Sequence, residues 1–241
     1  MNFIILGGGC FGTFYARQLL RAKNLSFEKI IIVDIKDSQN PCQAFQELGD
    51  GGGRIQHVTS DWKDFFYPYL NQKINEASQG HAIDDHYIPP TFAPHVLMEA
   101  FLSILQKRTP KVLIGPEPMI AGKIQTPFEM ALPQGNLALS FATWTCPATC
   151  IEPPTCPVTK GPKDWDMKKK IIETVHADHV SIFQCRHLAM GVGTIPVAEI
   201  VSDYINFEKK VSQPGEYHVA MGSVSSCHGL IGSAVIRNGN I

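Results

Sequence analysis

Three clustered cysteines in the second half of the chain are the residues best suited to chemistry. Cys146, Cys150 and Cys156 follow the pattern C-x3-C-x5-C in a segment rich in proline. Prolines lower the entropy that a loop loses when it closes around a metal, so this loop could direct three thiolates at one point. The spacing matches neither the ferredoxin cluster motif nor the C-x2-C knuckles of zinc ribbons. We therefore expect an iron–sulfur cluster or, as the alternative, zinc; the competing interpretation is three free thiols.

A tetrahedral zinc ion or a [4Fe–4S] cluster takes a fourth protein ligand. Cys227 is the preferred residue because it lies in a turn of small residues just past a predicted strand, where Gly229 permits close approach. Cys185, at the end of another predicted strand, and His228 are the alternatives. The predicted metal ligands are Cys146, Cys150, Cys156 and Cys227.

A glycine-rich segment near the start of the chain predicts a dinucleotide site. Gly7, Gly9 and Gly12 form G-x-G-x-x-G between the apolar run 2–6 and a helical pattern. The three glycines allow a tight turn, close approach of the backbone to a pyrophosphate, and close packing of helix on strand. The pyrophosphate would lie at the helix N-terminus, where N–H groups and the helix dipole favour an anion.

A carboxylate completes this motif at the end of the next apolar run. Asp34 lies about twenty residues past the last glycine, where it would accept hydrogen bonds from a ribose 2′-hydroxyl. Its charge favours NAD over NADP, although Lys23 and Lys36 keep NADP open. The alternative is a glycine turn that binds another ligand, such as S-adenosylmethionine, or none. The predicted cofactor-binding residues are Gly7, Gly8, Gly9, Cys10, Phe11, Gly12 and Asp34. We expect Cys10 to pack beneath the glycine loop.

Residues 1 to about 35 resemble the N-terminal Rossmann domains of saccharopine-dehydrogenase-like enzymes and of nucleotide-binding regulators of potassium uptake. This resemblance implies the Rossmann fold and dinucleotide binding, but no reaction. The second half resembles an uncharacterised family of bacterial and archaeal proteins with a cysteine-rich metal-binding loop, through its Cys-Pro pairs, its Gly191-Val192-Gly193 loop and its Cys227-His228-Gly229 turn. No catalytic residue follows from either resemblance.

The catalytic residues are unknown from sequence, with two histidines as weak candidates. His86 belongs to a polar cluster on a strand that should end near the nicotinamide. His95 lies in the first turn of a predicted helix, where the dipole keeps imidazole neutral. A surface or packing role competes in both cases. The loop 191–193 precedes a predicted helix and would be an anion-binding loop or a plain turn.

Strands and helices alternate through the first half, which predicts a doubly wound, Rossmann-like parallel sheet within an α/β fold. We expect an NAD(P)-binding domain over residues 1–115. A smaller α/β part with the Cys/Pro-rich loop is expected over residues 116–241. Between 116 and 162 only residues 136–142 have the pattern of a strand, because prolines interrupt the rest.

Composition excludes several classes of function. The 241 residues carry 21 basic and 22 acidic side chains, so no electrostatic footprint for nucleic acid is present. No apolar run has the length of a membrane span, and the first residues lack the features of a secretory signal. We therefore expect a cytoplasmic protein, in which the seven cysteines stay reduced and serve metal or redox chemistry.

These features together predict an NAD(P)-binding oxidoreductase with a cysteine-ligated iron–sulfur cluster. The nicotinamide would carry a hydride and the cluster single electrons. The expected partner is a small-molecule substrate or a redox protein, and the sequence leaves open whether the chain forms a homo-oligomer. One alternative is a non-catalytic nucleotide-sensing module with a structural zinc site. Another is a zinc-dependent dehydrogenase with three protein ligands and one open position.

Overall fold

Two compact units make up the chain, and both combine helices with sheet. The computed structural model describes residues 1–37, 39–90, 95–118 and 123–239, with the backbone alone at His95 and Gln134. One unit consists of Met1–Ala93 with Arg186–Val201, and the other of Pro94–Cys185 with Ser202–Ile241. The α/β fold class is confirmed. The domain boundary expected after residue 115 lies inside the second of these units.

Within the described residues the chain forms the following elements. The strands are β1 (Asn2–Leu6), β2 (Lys29–Asp34), β3 (Ile55–Thr59), β4 (His86–Ile88), β5 (Leu113–Pro116), β6 (Phe128–Ala131), β7 (Leu137–Ser140), β8 (His179–Gln184), β9 (Arg186–Ala189), β10 (Val192–Pro196), β11 (Gly215–Val224) and β12 (His228–Asn238). The helices are α1 (Cys10–Arg21), α2 (Gln43–Leu48), α3 (Trp62–Ser78), α4 (His95–Arg108), α5 (Met167–Thr174) and α6 (Val197–Val211). None of these helices has the length and hydropathy that crossing a membrane requires.

The sheet of the first unit has the strand order β3-β2-β1-β4-β10-β9. Strands β1 to β4 are parallel, whereas β10 pairs antiparallel with β4 and with β9. The predicted parallel sheet is therefore a mixed sheet with four parallel strands. Its buried positions are β-branched and aromatic, as a pleated surface favours; they include Phe3, Ile5, Ile30, Ile32 and Ile55.

The glycine pair at 191 and 193 belongs to a β-hairpin, which favours the plain turn over the anion-binding loop that the sequence also allowed. Gly191 has a φ of +71° in the turn, a conformation that glycine adopts without steric cost. Gly193 lies within β10 and pairs with His187 of β9. The backbone of this segment is thus committed to strand pairing rather than to a ligand.

Six strands form the sheet of the second unit, in the order β6-β7-β12-β11-β8, with β5 pairing along the far part of β12. Only β8 and β11 are parallel. Strand β6 was not predicted, because its sequence Phe-Glu-Met-Ala is short and three of its four side chains are exposed. The core beneath β7, β12 and α5 contains Leu137, Leu139, Met167, Ile171 and Ile231.

A buried carboxylate fixes the start of β1 in the first unit. Asp85 is 5% exposed and accepts hydrogen bonds from Asn2 N–H and Tyr69 Oη–H, both at 2.8 Å. Lys73 Nζ lies 3.4 Å from the same carboxylate. Burial by itself raises the pKa of Asp85, but the hydrogen bonds from Tyr69 and Asn2 and the charge of Lys73 hold that pKa below 3.8. Asp85 is therefore ionised at neutral pH.

We expect Asp85→Ala to lower the free energy of unfolding by about 3 kcal/mol at pH 7, because Lys73 and Tyr69 lose a buried partner. The folded-state pKa lies below the unfolded value of 3.8, so the difference from wild type should be full above pH 3.8 and shrink as the pH falls further. Urea unfolding across that range measures it. Asp84→Ala removes a neighbouring carboxylate that is 73% exposed and should change little; an Asp85 effect independent of pH would contradict this account.

Candidate functional site

The glycine loop joins β1 to α1 in the first unit, and each glycine has a distinct environment. Gly7 has a φ of +96° and donates its N–H to Val33 O at 2.8 Å. A Cβ at Gly12 would lie 2.0 Å from Gly7 O, whereas a Cβ at Gly9 would meet no atom within 4 Å. The turn, the close helix packing and the open backbone are the three features that a dinucleotide loop requires.

Asp34 is held against this loop. Its Oδ2 accepts from Gly8 N–H at 2.7 Å, and its Oδ1 accepts from Lys36 N–H at 3.0 Å. An ionised carboxylate has about four lone-pair sites, so acceptor capacity is left for ribose hydroxyls. Asp34 is therefore fixed in position at the end of β2 and still able to bind a sugar.

Cys42, rather than Cys10, packs beneath the glycine loop, which corrects the expectation for Cys10. A Cβ at Gly8 would lie 2.2 Å from Cys42 Sγ, and Cys42 is buried. Cys10 is exposed because it begins α1, where its side chain faces outward. The sequence could not separate these two thiols, since Cys42 reaches the loop only through the fold.

A pocket of about 400 Å³ opens beside the glycine loop at the carboxyl ends of β1 and β4. Phe11 and Trp62 line it together with Pro89 and Pro90. Trp62 packs on Gly7, with its ring 3.1 Å from the place of a Cβ. The lining is mostly apolar and aromatic, which suits the flat ring of a ligand. In the glycine loop beside it, a Cβ at Gly9 would meet no atom within 4 Å.

Only one of the two histidine candidates has a described side chain. His86 occupies the first position of β4, opposite Phe3, and its Nδ1 is 3.1 Å from Thr194 Oγ1. Thr194 donates its hydroxyl proton to Arg186 O, so the imidazole N–H donates to Thr194. Burial, and then the charge of Arg186, lower the pKa of His86. The side chain of His95 lies outside the described residues, so the catalytic candidacy of both histidines stays a prediction.

In the second unit the cysteine loop, residues 141–166, connects β7 to α5. It contains no helix and no strand beyond one bridge between Thr155 and Pro162. Cys227 lies in the turn between β11 and β12, and the sequence predicted this turn. Phe141 N–H donates to Cys227 O at 2.9 Å, and Met167 N–H donates to Ser226 O at 3.2 Å. Both ends of the loop are therefore attached to the turn that carries Cys227.

Cys146 lies within electrostatic range of the other three predicted ligand cysteines. Burial raises the pKa of Cys146, and the charges of Cys227, Cys150 and Cys156 raise it further. Cys185 behaves differently, because burial raises its pKa to about 12 and keeps its thiol neutral. Of the two cysteines considered as fourth ligand, Cys227 is the one that accepts hydrogen bonds from the loop, at its carbonyl from Phe141 N–H and at its sulfur from Trp165 Nε1–H.

Cys156 lies in a tight turn that stabilises its thiolate. The backbone N–H and the hydroxyl of Thr159, with the N–H of Val158, lower the pKa of Cys156. Lys160 N–H donates to Cys156 O at 2.9 Å, and Lys160 has a φ of +60°. Hydrogen bonds to sulfur favour the charged form, which is the form that ligates metals.

Two further thiols receive hydrogen bonds of the same kind. Glu152 N–H donates to Cys150 Sγ at 3.3 Å, and Trp165 Nε1–H donates to Cys227 Sγ at 3.4 Å. Burial nevertheless raises the pKa of Cys227 above its usual value. These hydrogen bonds hold both sulfur atoms in position.

Glu152 is a residue of this site that the sequence did not single out. Its Oε2 accepts from Ser226 N–H at 2.7 Å, and its Oε1 accepts from Cys227 N–H at 3.3 Å. The sequence feature that could have indicated its role is the position of this carboxylate between Cys150 and Cys156. Its function is to connect the cysteine loop to the β11–β12 turn.

His228, the second-choice ligand, has a defined tautomer. Ser140 Oγ donates to Ala142 O at 2.8 Å, so it must accept from His228 Nδ1–H at 3.0 Å. Desolvation lowers the pKa of His228, which leaves Nε2 as a neutral lone pair. This nitrogen has the electronic state of a metal ligand.

Two buried donors of the cysteine loop, Trp144 Nε1 and Lys163 Nζ, have no hydrogen-bond partner among the described residues. In the part of the chain that the structure describes, no three or more His, Cys, Asp or Glu side chains form an arrangement that holds a metal ion.

Residues 96–237 match the model of a protein family described as "Uncharacterized protein, C-terminal domain". The match spans more than half of the chain. The chain belongs to this family. The family region extends from α4 to β12 and contains all four predicted ligand cysteines, whereas the glycine loop lies before it. Comparison with curated proteins and with solved structures gave no match.

Proposed function

We propose that this chain is an NAD(P)-binding oxidoreductase whose second unit binds an iron–sulfur cluster through Cys146, Cys150, Cys156 and Cys227. The observation that carries the proposal is the attachment of the cysteine loop to the turn that carries Cys227, through the hydrogen bonds from Phe141 N–H to Cys227 O and from Met167 N–H to Ser226 O. Soft thiolate ligands select iron–sulfur clusters and zinc over hard cations. Backbone and indole N–H groups on the sulfurs favour the ligating thiolates.

Strand order supports the nucleotide half of the proposal. In a Rossmann-like sheet the chain moves from β1 to β3 on one side and returns to β4 on the other, and ligands bind where that order reverses. The order β3-β2-β1-β4 places this reversal beside β1, at the end that carries the glycine loop and the pocket. Gly9 would face the pyrophosphate, and Asp34 would accept from the ribose.

The two sites would divide the chemistry. A bound nicotinamide supplies a hydride and a cluster supplies single electrons. The protein's own residues bind and orient: the N–H groups at the start of α1 hold phosphate, Asp34 selects the sugar, and the four thiolates hold iron. The electrons would pass to a small-molecule substrate or to a redox partner protein.

Purification without oxygen, followed by iron and sulfide analysis and calorimetric titration with NADH, tests both halves. We expect coloured protein with about four iron and four sulfide per chain and one NADH site. Colourless, iron-free protein would remove the cluster. Iron without nucleotide binding would remove the dinucleotide assignment.

A structural zinc site is the second candidate, favoured by the irregularity of the cysteine loop. Residues 141–166 have few backbone hydrogen bonds of regular structure, so a metal would hold the loop in place. Such a protein would bind one zinc ion, and chelation would unfold the second unit because metal affinity contributes directly to folding. Thermal stability unchanged by a chelator would exclude this candidate.

Asp34→Asn should weaken the preference for NADH over NADPH by about tenfold. The amide oxygen can still accept from Gly8 N–H, but it no longer repels a 2′-phosphate. Calorimetric titration of both nucleotides measures the ratio. Asp37→Asn is the matched control, because Asp37 accepts from the N–H groups of Gln39 and Asn40. A wild-type protein that prefers NADPH would contradict the role of Asp34.

A further inference from the structure

A second pocket, of about 400 Å³, is lined by residues of the second unit. Its volume falls within the range of roughly 300–1,000 Å³ that small-molecule sites occupy. Among the described residues, its walls come from the segment after β5, from the end of α5 and from the paired strands β11 and β12. No cysteine and no residue of the glycine loop belongs to its described lining, so the sites discussed above leave this pocket without a role.

The buried part of this lining is apolar. Ile124, Val219 and Ala220 line the pocket and are at most 3% exposed. Ala220 lies on β11 directly opposite Ser233 of β12, so the sheet itself forms this wall. Aliphatic side chains offer no hydrogen bond, and they favour contact with an aliphatic group of a ligand.

Three side-chain oxygens of the lining are left as hydrogen-bond acceptors. The hydroxyl of Ser233 donates to Glu117 O, and the hydroxyl of Thr174 donates to Lys170 O at 2.7 Å. Each hydroxyl has thereby used its only proton, so it can only accept from a ligand. Glu117 Oε1 accepts from His218 Nδ1–H at 2.7 Å, which leaves Glu117 Oε2 as the third acceptor. An ammonium group, with three N–H donors, complements this set.

The electrostatics around these acceptors also favour a cation. The hydrogen bond to Glu117 and the charge of that carboxylate raise the pKa of His218, and the charges of Glu216 and Asp178 raise it further. Helix α5 ends at Thr174, and the carbonyl groups at the C-terminus of a helix carry partial negative charge. The pocket therefore has a negative end beside Glu117 and Thr174.

Basic side chains form the exposed part of the lining. Lys123 and His176 both line the pocket, and both are exposed. Neither makes a hydrogen bond or an ion pair with another described residue. A lysine ammonium offers three donors and no acceptor, so its complement in a ligand is an anionic oxygen. The lining thus combines an acceptor set, an apolar wall and a basic group.

We propose that this pocket binds an α-amino acid with an aliphatic side chain. The acceptor oxygens bind its ammonium group, Lys123 binds its carboxylate, and the apolar wall contacts its side chain. An acid without the ammonium group leaves the acceptors without a donor, and an amine without the carboxylate leaves Lys123 without a partner. Neither a nucleotide nor a metal enters this inference, so it stands apart from the proposed function.

Calorimetric titration of the full chain with L-leucine and with L-valine tests the proposal. Each amino acid is compared with the acid that lacks its ammonium group and with the amine that lacks its carboxylate; for L-leucine these are 4-methylpentanoate and 3-methylbutylamine. We expect one site for at least one of the two amino acids, and binding of its acid and its amine that is at least about tenfold weaker. Binding of neither amino acid, or equal binding of an analogue, would overturn the proposal.

Two variants locate the ligand in this pocket. Lys123→Met should abolish the preference for the amino acid over the amine, whereas Glu117→Gln, which can still accept from His218, should abolish the preference over the acid. Lys111→Met removes an exposed lysine of the same unit outside the described lining and should match wild type. Urea unfolding shows whether a variant stays folded; if Glu117→Gln is destabilised, Lys123→Met decides. Unchanged preferences in a folded Lys123→Met would place the ligand elsewhere and overturn the proposal.

Discussion

Gly9→Ala is expected to abolish NADH binding while leaving the fold intact. A Cβ at this position meets no atom of the protein within 4 Å, so the variant should match wild type in urea unfolding. The same methyl group would fill the space through which the backbone approaches the pyrophosphate. We expect a loss of at least about 100-fold in affinity by calorimetry, which equals about 2.7 kcal/mol.

Gly12→Ala is the matched variant, and we expect it to change stability before it changes NADH binding. Its Cβ would lie 2.0 Å from Gly7 O, so α1 must shift, at a cost of about 1–3 kcal/mol in stability. Gly9→Ala should therefore change binding without changing stability, whereas Gly12→Ala should change stability first. Wild-type NADH affinity in Gly9→Ala would show that this loop does not hold a phosphate.

Cys227→Ser should lose the metal centre. A serine hydroxyl is a hard, protonated oxygen that replaces a soft thiolate, and the turn that carries it is already fixed by Glu152. We expect iron content to fall at least about tenfold relative to wild type in protein purified without oxygen. The fold should persist, because the turn is closed by the Ser225 N–H to His228 O hydrogen bond at 2.8 Å.

Cys185→Ser is the control for the choice of fourth ligand. The Cys227 thiol is the one that accepts from Trp165 of the cysteine loop, so loss of the Cys185 thiol should leave the iron content unchanged. Retention of iron by Cys227→Ser together with its loss from Cys185→Ser would assign the ligand to Cys185 instead. Full iron in both variants would exclude either cysteine as a ligand.

Local sequence predicted the glycine loop well because its determinants are local. A strand, a turn that needs a positive φ at Gly7, and a helix that must pass close to Gly7 O at Gly12 are encoded within twelve consecutive residues. Asp34 follows from the same unit, since β2 must end beside the loop. The contrast between an open Gly9 and a packed Gly8 required the structure, because Cys42 reaches Gly8 from outside that unit.

The parts of the fold that the sequence did not predict depend on pairing between residues that are far apart in the chain. Strand β10 joins the first sheet at β4, through Ile195 opposite Tyr87, and no local pattern encodes a partner about a hundred residues away. The same limit applied to the cysteine loop. Spacing predicted three ligands and a turn for the fourth, but the attachments made by Glu152 arise only after folding.

The most direct test of the central claim is the iron and sulfide content of the protein purified in the absence of oxygen, measured on the same preparation that is titrated with NADH. We predict about four iron and four sulfide per chain and one NADH site in wild type, and the same iron content without NADH binding in Gly9→Ala. Iron-free wild-type protein that binds no NADH would contradict the account.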